Sequence, residues 1–141
     1  MGGRGYIENS RGHGKPEATA DIFMANAMVI GMGGVGSVIA QKLHEYDCFD
    51  RIVCADRDPV FAEKLAQRIP NNRFVIVQAD AMNVKGTTAL MKEHKVKVTC
   101  NAAVCATNHS VLTACAEAGS HSLHTAAHIH APPGARRTSN T

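Results

Sequence analysis

The sequence predicts an α/β domain, a doubly wound parallel sheet of about five strands in the order 3-2-1-4-5 with helices on both faces. Three observations lead there. Short apolar runs alternate with amphipathic stretches of ten or more residues between positions 27 and 125, the pattern of parallel strands joined by helical crossovers. The first run ends in a cluster of glycines, Gly31, Gly33, Gly34 and Gly36. The length of 141 residues, 45% of them hydrophobic, suits one core and is too short for a two-domain enzyme or an eightfold barrel.

Ala27-Met28-Val29-Ile30 is wholly apolar and runs into glycine, as a strand buried on both faces does. Residues 34–46 carry Val35, Val38, Ile39, Lys42, Leu43 and Tyr46 at helical spacing. Arg51-Ile52-Val53-Cys54-Ala55 is the second strand. Asp58 and Pro59 supply a cap and a first-turn proline, and Phe61, Leu65 and Ile69 recur every fourth residue before Pro70 ends that helix.

Phe74-Val75-Ile76-Val77 is the third strand, followed by a helix over 83–94 with Val84, Leu90 and Met91 inward. Val96-Lys97-Val98-Thr99-Cys100 is the fourth strand, placed toward an edge by the charge of Lys97. A fourth helix spans 108–118 with Val111, Leu112 and Cys115 inward, and Gly119 suits its left-handed C′ position. Ser122-Leu123-His124-Thr125 is the fifth strand. Residues 1–25, with Gly2, Gly3, Gly5, Gly12 and Gly14, read as a flexible leader, and 131–141, with Pro132 and Pro133, as a disordered tail, leaving 26–130 for the domain.

The glycines carry the chemistry. Gly31-Met32-Gly33-Gly34-Val35-Gly36 follows a strand and opens a helix, the context in which G-x-G-x-x-G binds a dinucleotide. Gly31 permits the tight turn, Gly33 lets the backbone approach a pyrophosphate, and Gly36 brings helix and strand together. The helix N-terminus adds free N–H groups and about half a positive charge. This makes the sheet Rossmann-type, with its crevice between the first and fourth strands.

Asp56 stands 20 residues beyond Gly36 at the end of the second strand, the place of an acid that bonds the adenosine ribose. Arg57 beside it suits a 2′-phosphate or an adenine face, so NAD and NADP both remain open. Asp80 and Ala81 follow the third strand, where Asp80 either faces adenine or caps the next helix. Asn101 and Ala102 end the fourth strand, with the Asn101 amide either on the nicotinamide ribose or on local backbone.

Other chemistries are excluded. The net charge is +3, yet residues 26–126 hold ten Lys and Arg against nine Asp and Glu. No basic stripe for nucleic acid results. Five cysteines without a CxxC pair imply neither a disulfide framework nor a zinc ribbon. His121, His124, His128 and His130 lack a nearby carboxylate or a rigid scaffold, so no metal is expected. Without an apolar run of about 18 residues, no membrane partner is expected and a cytoplasmic setting is the default.

Five segments in order, Gly31–Ser37, Ala55–Pro59, Gln78–Ala81, Asn101–Ala103 and Ala116–His121, resemble the N-terminal dinucleotide-binding domain of the saccharopine dehydrogenase family, over about 26–126. The resemblance implies an oxidoreductase that uses NAD or NADP on the CH–NH bond of a secondary amine joining an amino acid or polyamine to a keto acid or aldehyde. It implies that Gly31, Gly33, Gly34, Val35 and Gly36 hold the pyrophosphate, Asp56 and Arg57 the adenosine end, and Asn101 and Ala102 the ribose near the nicotinamide. Val104-Cys105-Ala106 departs from the family, which commonly has proline there, and Ser122, His124 and Thr125 replace its usual Tyr-x-Asp-Thr.

Pro132–Thr141 also reads unlike the family, as a truncated or frame-shifted end would. The family continues into a substrate-binding and dimerising domain. Alone, this domain is therefore expected to bind cofactor and be catalytically incomplete, with catalytic residues unknown and a homodimer or a separate substrate-domain partner supplying the rest. The alternative is a non-catalytic nucleotide-sensing domain resembling those of potassium-channel regulators, which share the glycine turn, the acid after the second strand and an Asp-Ala pair. Adenylating enzymes also share the glycine turn, but Val60-Phe61-Ala62-Glu63-Lys64 replaces their Asn/Arg/Gln-rich ATP segment.

Overall fold

The structure is a computed structural model that describes residues 25–46 and 48–126. The leader, except for Ala25, and the tail, with His128 and His130, lie outside the described residues. Strand β1 (Asn26–Ile30), helix α1 (Gly34–Glu45), β2 (Ile52–Asp56), α2 (Val60–Arg68), β3 (Phe74–Gln78), α3 (Val84–Glu93), β4 (Val96–Asn101), α4 (Asn108–Ala118) and β5 (His121–His124) follow in order. All pairings are parallel and the sheet order is β3-β2-β1-β4-β5. Among the described residues, no helix is long and apolar enough to cross a membrane.

Burial explains the apolar runs. Ala27 and Val29 of β1 and Ile52 and Val53 of β2 have no exposed surface, because helices cover both faces of the central strands. Full burial of each of the valine and isoleucine side chains contributes about 1.5–3 kcal/mol. On one face Val29, Ile52 and Cys54 pack with Ala40 of α1 and Ala62 and Leu65 of α2. On the other, Met28, Ile30 and Val53 pack with Met91 of α3 and Val111, Ala114 and Cys115 of α4.

Two helices turn inward the faces expected, Ile39 and Leu43 in α1 and Val111 and Cys115 in α4, but small residues replace some of the larger ones on those faces. In α1, Gly36, Ile39, Ala40 and Leu43 face inward, while Val35 and Val38 are more than half exposed. In α4, Ala114 takes the inward place and Leu112 is exposed. Small residues let these helices sit close to the strands, so close approach outweighed side-chain hydrophobicity.

Lys97 is accommodated inside the sheet. Between the Asn26–Val96 and Ala27–Val98 pairs the register of β1 and β4 shifts by one residue, a bulge that leaves Lys97 exposed. β4 is thus flanked by β1 and β5 despite its charge. At the other end of α1, the Arg73 guanidinium donates to the carbonyls of His44 (2.9 Å) and Phe49 (2.6 Å). It ties the helix C-terminus and the turn into β2 to the start of β3.

Candidate functional site: a cleft at the glycine turn

β1 enters the sheet centre, and the chain leaves its two neighbours in opposite directions. The crevice this opens begins at Gly31, whose φ is +86°. Its N–H donates to the Ala55 carbonyl (2.8 Å), and Ala102 N–H donates to the Ile30 carbonyl (2.8 Å), so the turn is held from both sides. Glycine is required twice over here. The dihedral is left-handed, and a β-carbon would lie 2.6 Å from the Ala103 nitrogen.

The rest of the turn divides between anchoring and openness. The Met32 side chain is fully buried. Its N–H donates to Oδ2 of Asp56 (2.6 Å) and its carbonyl accepts the Ser37 hydroxyl (2.9 Å). Gly33 and Gly34 face open space, with no atom within 4 Å of where a β-carbon would stand. α1 has no side-chain cap and no acidic residue in its first turn, so its leading amides keep their donor capacity. Gly36 is buried against Gly31.

Asp56 ends β2 half-buried. While Oδ2 holds the Met32 amide, Oδ1 accepts from the Asp58 N–H (3.1 Å). Each oxygen retains a lone pair, since a carboxylate offers about four acceptor positions. Asp58 accepts from the Val60 N–H (3.1 Å) in a turn that leads into α2, whose N-cap is Pro59, one residue later than expected. Arg57 is exposed, and its carbonyl accepts from Gln78 Nε2 (2.9 Å).

After β3, Asp80 Oδ1 accepts the Met82 N–H (2.9 Å). Asn83, not Asp80, caps α3 by accepting the Gly86 N–H (3.0 Å). Of the two expected places for Asp80, the structure gives the one on the cleft.

These elements enclose a cleft of about 530 Å³, within the usual range for small-ligand sites of about 300–1,000 Å³. Ile30, Gly31 and Gly33 form its base. Asp56 and Arg57, with Ala79 through Met82, form one wall, and Ala102, Ala103, Val104, Ala106 and Thr107 the other. Gly31, Gly33, Asp56, Arg57, Asp80, Ala81 and Ala102 therefore come together as expected. Gly34, Val35 and Gly36 do not line it. Val35 projects outward from α1, so only its main chain could serve the turn.

Asn101 departs furthest from expectation. Its side chain is 1% exposed and points into the loop behind the cleft. Nδ2 donates to Thr107 Oγ1 (3.0 Å) and Asn108 Oδ1 (2.9 Å), and Oδ1 accepts the Ala103 N–H (3.2 Å). Of its two possible partners, ribose or local backbone and side chains, the structure gives the local one. Met82, Val104 and Thr107 were missed on the sequence. Their only signal was position in the loops that follow β3 and β4, the rim where α/β sheets bind ligands.

Among the described residues, no group of three or more His, Cys, Asp or Glu could hold a metal. His121 and His124 are exposed on β5. Cys54 and Cys100 are buried, and burial pushes the Cys54 thiol up to about 12 and raises that of Cys100. These are core residues without the thiolate character of a nucleophile.

The chain is similar to known proteins in sequence and in fold. The chain is 32% identical over 103 residues to carboxyaminopropylagmatine dehydrogenase of Synechocystis sp., a match covering 73% of this chain and 26% of that protein. The chain therefore spans about a quarter of the length of that curated relative. The solved saccharopine dehydrogenase (L-Glu forming) of Saccharomyces cerevisiae superposes with a TM-score of 0.62 at 14% identity, covering 77% of this chain and 22% of that one.

A UDP-glucose-4-epimerase of Stenotrophomonas maltophila solved with bound NAD superposes at 0.61 and 22% identity, over 71% and 36% of the two chains. At such identities these structures bear on the fold alone, and the fold is Rossmann-type. The family model described as the saccharopine dehydrogenase NADP binding domain matches residues 27–140. That stretch runs from the second residue of β1 through every wall of the cleft, and on it the chain belongs to the saccharopine dehydrogenase family, as its nicotinamide-dinucleotide-binding domain.

Proposed function

We propose that the cleft binds NAD in preference to NADP and that, in the whole protein, it serves hydride transfer at the CH–NH carbon of a secondary amine. One observation carries the reading. The Asp56 carboxylate lies on the cleft while it holds the glycine turn through Met32, so a site for ribose hydroxyls and a cradle for a diphosphate are built as one unit. Open space over Gly33 and Gly34 leaves room for the diphosphate against main-chain amides.

Charge supports NAD. Two carboxylates, Asp56 and Asp80, line the adenosine end against one guanidinium, Arg57. A 2′-phosphate would add about two negative charges beside them at neutral pH, by analogy with phosphorylated side chains. Ribose hydroxyls instead donate to the lone pairs that Asp56 keeps. Gly31, Gly33, Gly34, Val35 and Gly36 serve the diphosphate through main chain and close packing. Asp80 and Ala81 flank the adenine, and Ala102 leaves space toward the nicotinamide end.

A bound nicotinamide supplies the hydride donor or acceptor. The protein's part is to hold it in place and keep water out, which takes reacting atoms to within about 3–3.5 Å. Among the described residues lining the cleft, Asp56, Arg57 and Asp80 are the titratable ones, and all three stand at the adenosine end. Proton transfer to or from the amine therefore falls to residues outside this set, in a substrate domain of the whole protein or a second copy. The name of the Synechocystis relative, a dehydrogenase of carboxyaminopropylagmatine, supports an amine conjugate as the substrate class.

The chain contains no tryptophan, so the emission of bound NADH can be followed free of indole background. Titration should give a Kd between about 1 µM and 1 mM, tighter for NADH than for NADPH. Saturation by ATP with no binding of NADH would favour a nucleotide-sensing regulator instead. Absence of any nucleotide binding up to millimolar concentration would overturn the reading.

A further inference from the structure

We infer that Asn101 is a positioning residue that sets the β4–α4 wall of the cleft, and so controls dinucleotide affinity without touching the ligand. The inference rests on the cofactor reading above and assigns Asn101 a different part from the ribose contact expected of its place in the sequence.

Three facts carry it. First, both N–H donors of the amide are committed, one to Thr107 Oγ1 and one to Asn108 Oδ1, and its oxygen accepts the Ala103 N–H. An asparagine amide has two donors and one carbonyl oxygen, so no donor is left for a ligand. Second, each bonded residue continues the brace. Thr107 Oγ1 donates to the Val104 carbonyl (2.8 Å), and Asn108 Nδ2 donates to the Ala126 carbonyl (2.7 Å). The Asn101 carbonyl in turn accepts the Thr125 N–H (3.1 Å).

Third, the braced loop is the wall itself. Ala102, Ala103, Val104, Ala106 and Thr107 all line the cleft, and Ala103 lies against Gly31 so closely that a β-carbon on that glycine would meet its nitrogen. Small side chains shape this wall, and none of those five brings a charge or a bulky anchor to hold it. The polar network behind it supplies the rigidity. Removing the Asn101 side chain would leave the half-buried Ala103 N–H without its partner and take from the buried Thr107 hydroxyl the bond it accepts, while it keeps the one it donates to Val104. An unsatisfied buried group favours rearrangement of the segment that carries it.

The test uses the purified full chain and five variants, N101A, T107V, T107S, N101D and the double N101A/T107V. Hydrogen exchange over residues 102–108, measured without nucleotide, reads the brace directly. NADH titration reads its consequence, and a thermal melt confirms that each variant is folded. N101A and T107V should speed exchange in that segment and weaken NADH about tenfold, the factor equivalent to 1.4 kcal/mol. T107S keeps the hydroxyl and should bind as the parent does. N101D keeps the acceptor for Ala103 but loses both donors, and should fall with N101A.

The double variant should be at most about twofold weaker than N101A alone, because both residues belong to one hydrogen-bonded network that orders the same segment. Unchanged exchange in N101A and T107V overturns the brace. Additive losses in the double variant would show that the two residues act separately and not as one brace, and weak binding by N101A with normal exchange would make Asn101 a ligand contact; either overturns the inference. If the parent binds NADH and N101A binds it equally, the inference fails while the cofactor reading stands. If the parent binds no nucleotide, both fail. Should N101A not fold, T107V and T107S carry the same decision.

Discussion

Gly36 in the first turn of α1 packs onto the carbonyl of Gly31, leaving no room for a side chain between helix and strand. Gly33, three residues earlier, faces open space. The same motif thus contains one glycine demanded by folding and one whose missing side chain matters only to something that arrives from outside.

Substitution separates these roles. Gly33→Val should leave the urea midpoint within the range of surface changes, about 0.5 kcal/mol, and abolish NADH binding. Gly36→Ala should cost about 1–3 kcal/mol or more through overpacking, seen as a lower midpoint, because its neighbour is backbone that cannot swing aside. Equal NADH affinity in folded Gly33→Val would remove the backbone-approach account of the turn.

Asp56 should show two separable losses. Asp56→Ala removes the acceptor of the Met32 and Asp58 amides. It should destabilise the fold by about 1–3 kcal/mol as well as weaken NADH. Asp56→Asn keeps one acceptor oxygen and removes the charge, so the preference for NADH over NADPH should narrow or reverse. Parallel titrations of both cofactors read that ratio, and an unchanged ratio would count against charge as its basis.

The cysteines give a pH-dependent expectation. The Cys54 thiol is pushed from an ordinary 9.0 up to about 12 by burial. Above pH 9 the unfolded chain therefore releases a proton that the folded chain keeps. Stability from this group is complete below about pH 9 and declines as pH rises toward 12, by at most about 1.4 kcal/mol per pH unit. Urea midpoints between pH 8 and 10.5 should fall, and fall less steeply in Cys54→Ala. At pH 8, alkylation followed by mass spectrometry should mark the half-exposed Cys48 and Cys105 well before the buried Cys54, Cys100 and Cys115.

Arg73→Ala should loosen the far end of α1. Its guanidinium serves the carbonyls of His44 and Phe49, and hydrogen bonds to charged groups contribute about 1.5–3 kcal/mol each. Lysine cannot reproduce a planar fork, so Arg73→Lys should recover less than half of the loss in a thermal melt. Full recovery by lysine would show that charge alone suffices.

Much of this was legible in advance, for definable reasons. β1 and β2 could be read because central parallel strands are buried on both faces and need no polar alternation. The turn at Gly31 could be read because its conformation admits little besides glycine. The C-terminus of α4 could be read for the same reason, since Gly119 takes φ +71° and Ser120 N–H reaches back to the Cys115 carbonyl at 2.9 Å.

What stayed hidden depends on three-dimensional closeness. Val35, Val38 and Leu112 count as core by hydrophobicity, yet Gly36, Ala40 and Ala114 win the inward places because backbone approach decides there. The bulge at Lys97 has no signature in one strand, since register belongs to a pair. Asn101 carried two equally good readings, and only the positions of Thr107 and Asn108 chose between them.

The tether from Asp56 to Met32 joins segments 24 residues apart and holds the turn before any anion arrives. The entropy of ordering that loop is then lost during folding and not on association. Capture of a dinucleotide should accordingly proceed as a single fast phase, with little isomerisation after encounter. The Gly31 and Met32 amides, already bonded to Ala55 and Asp56, should exchange nearly alike in free and saturated protein, while the open amides that follow gain protection.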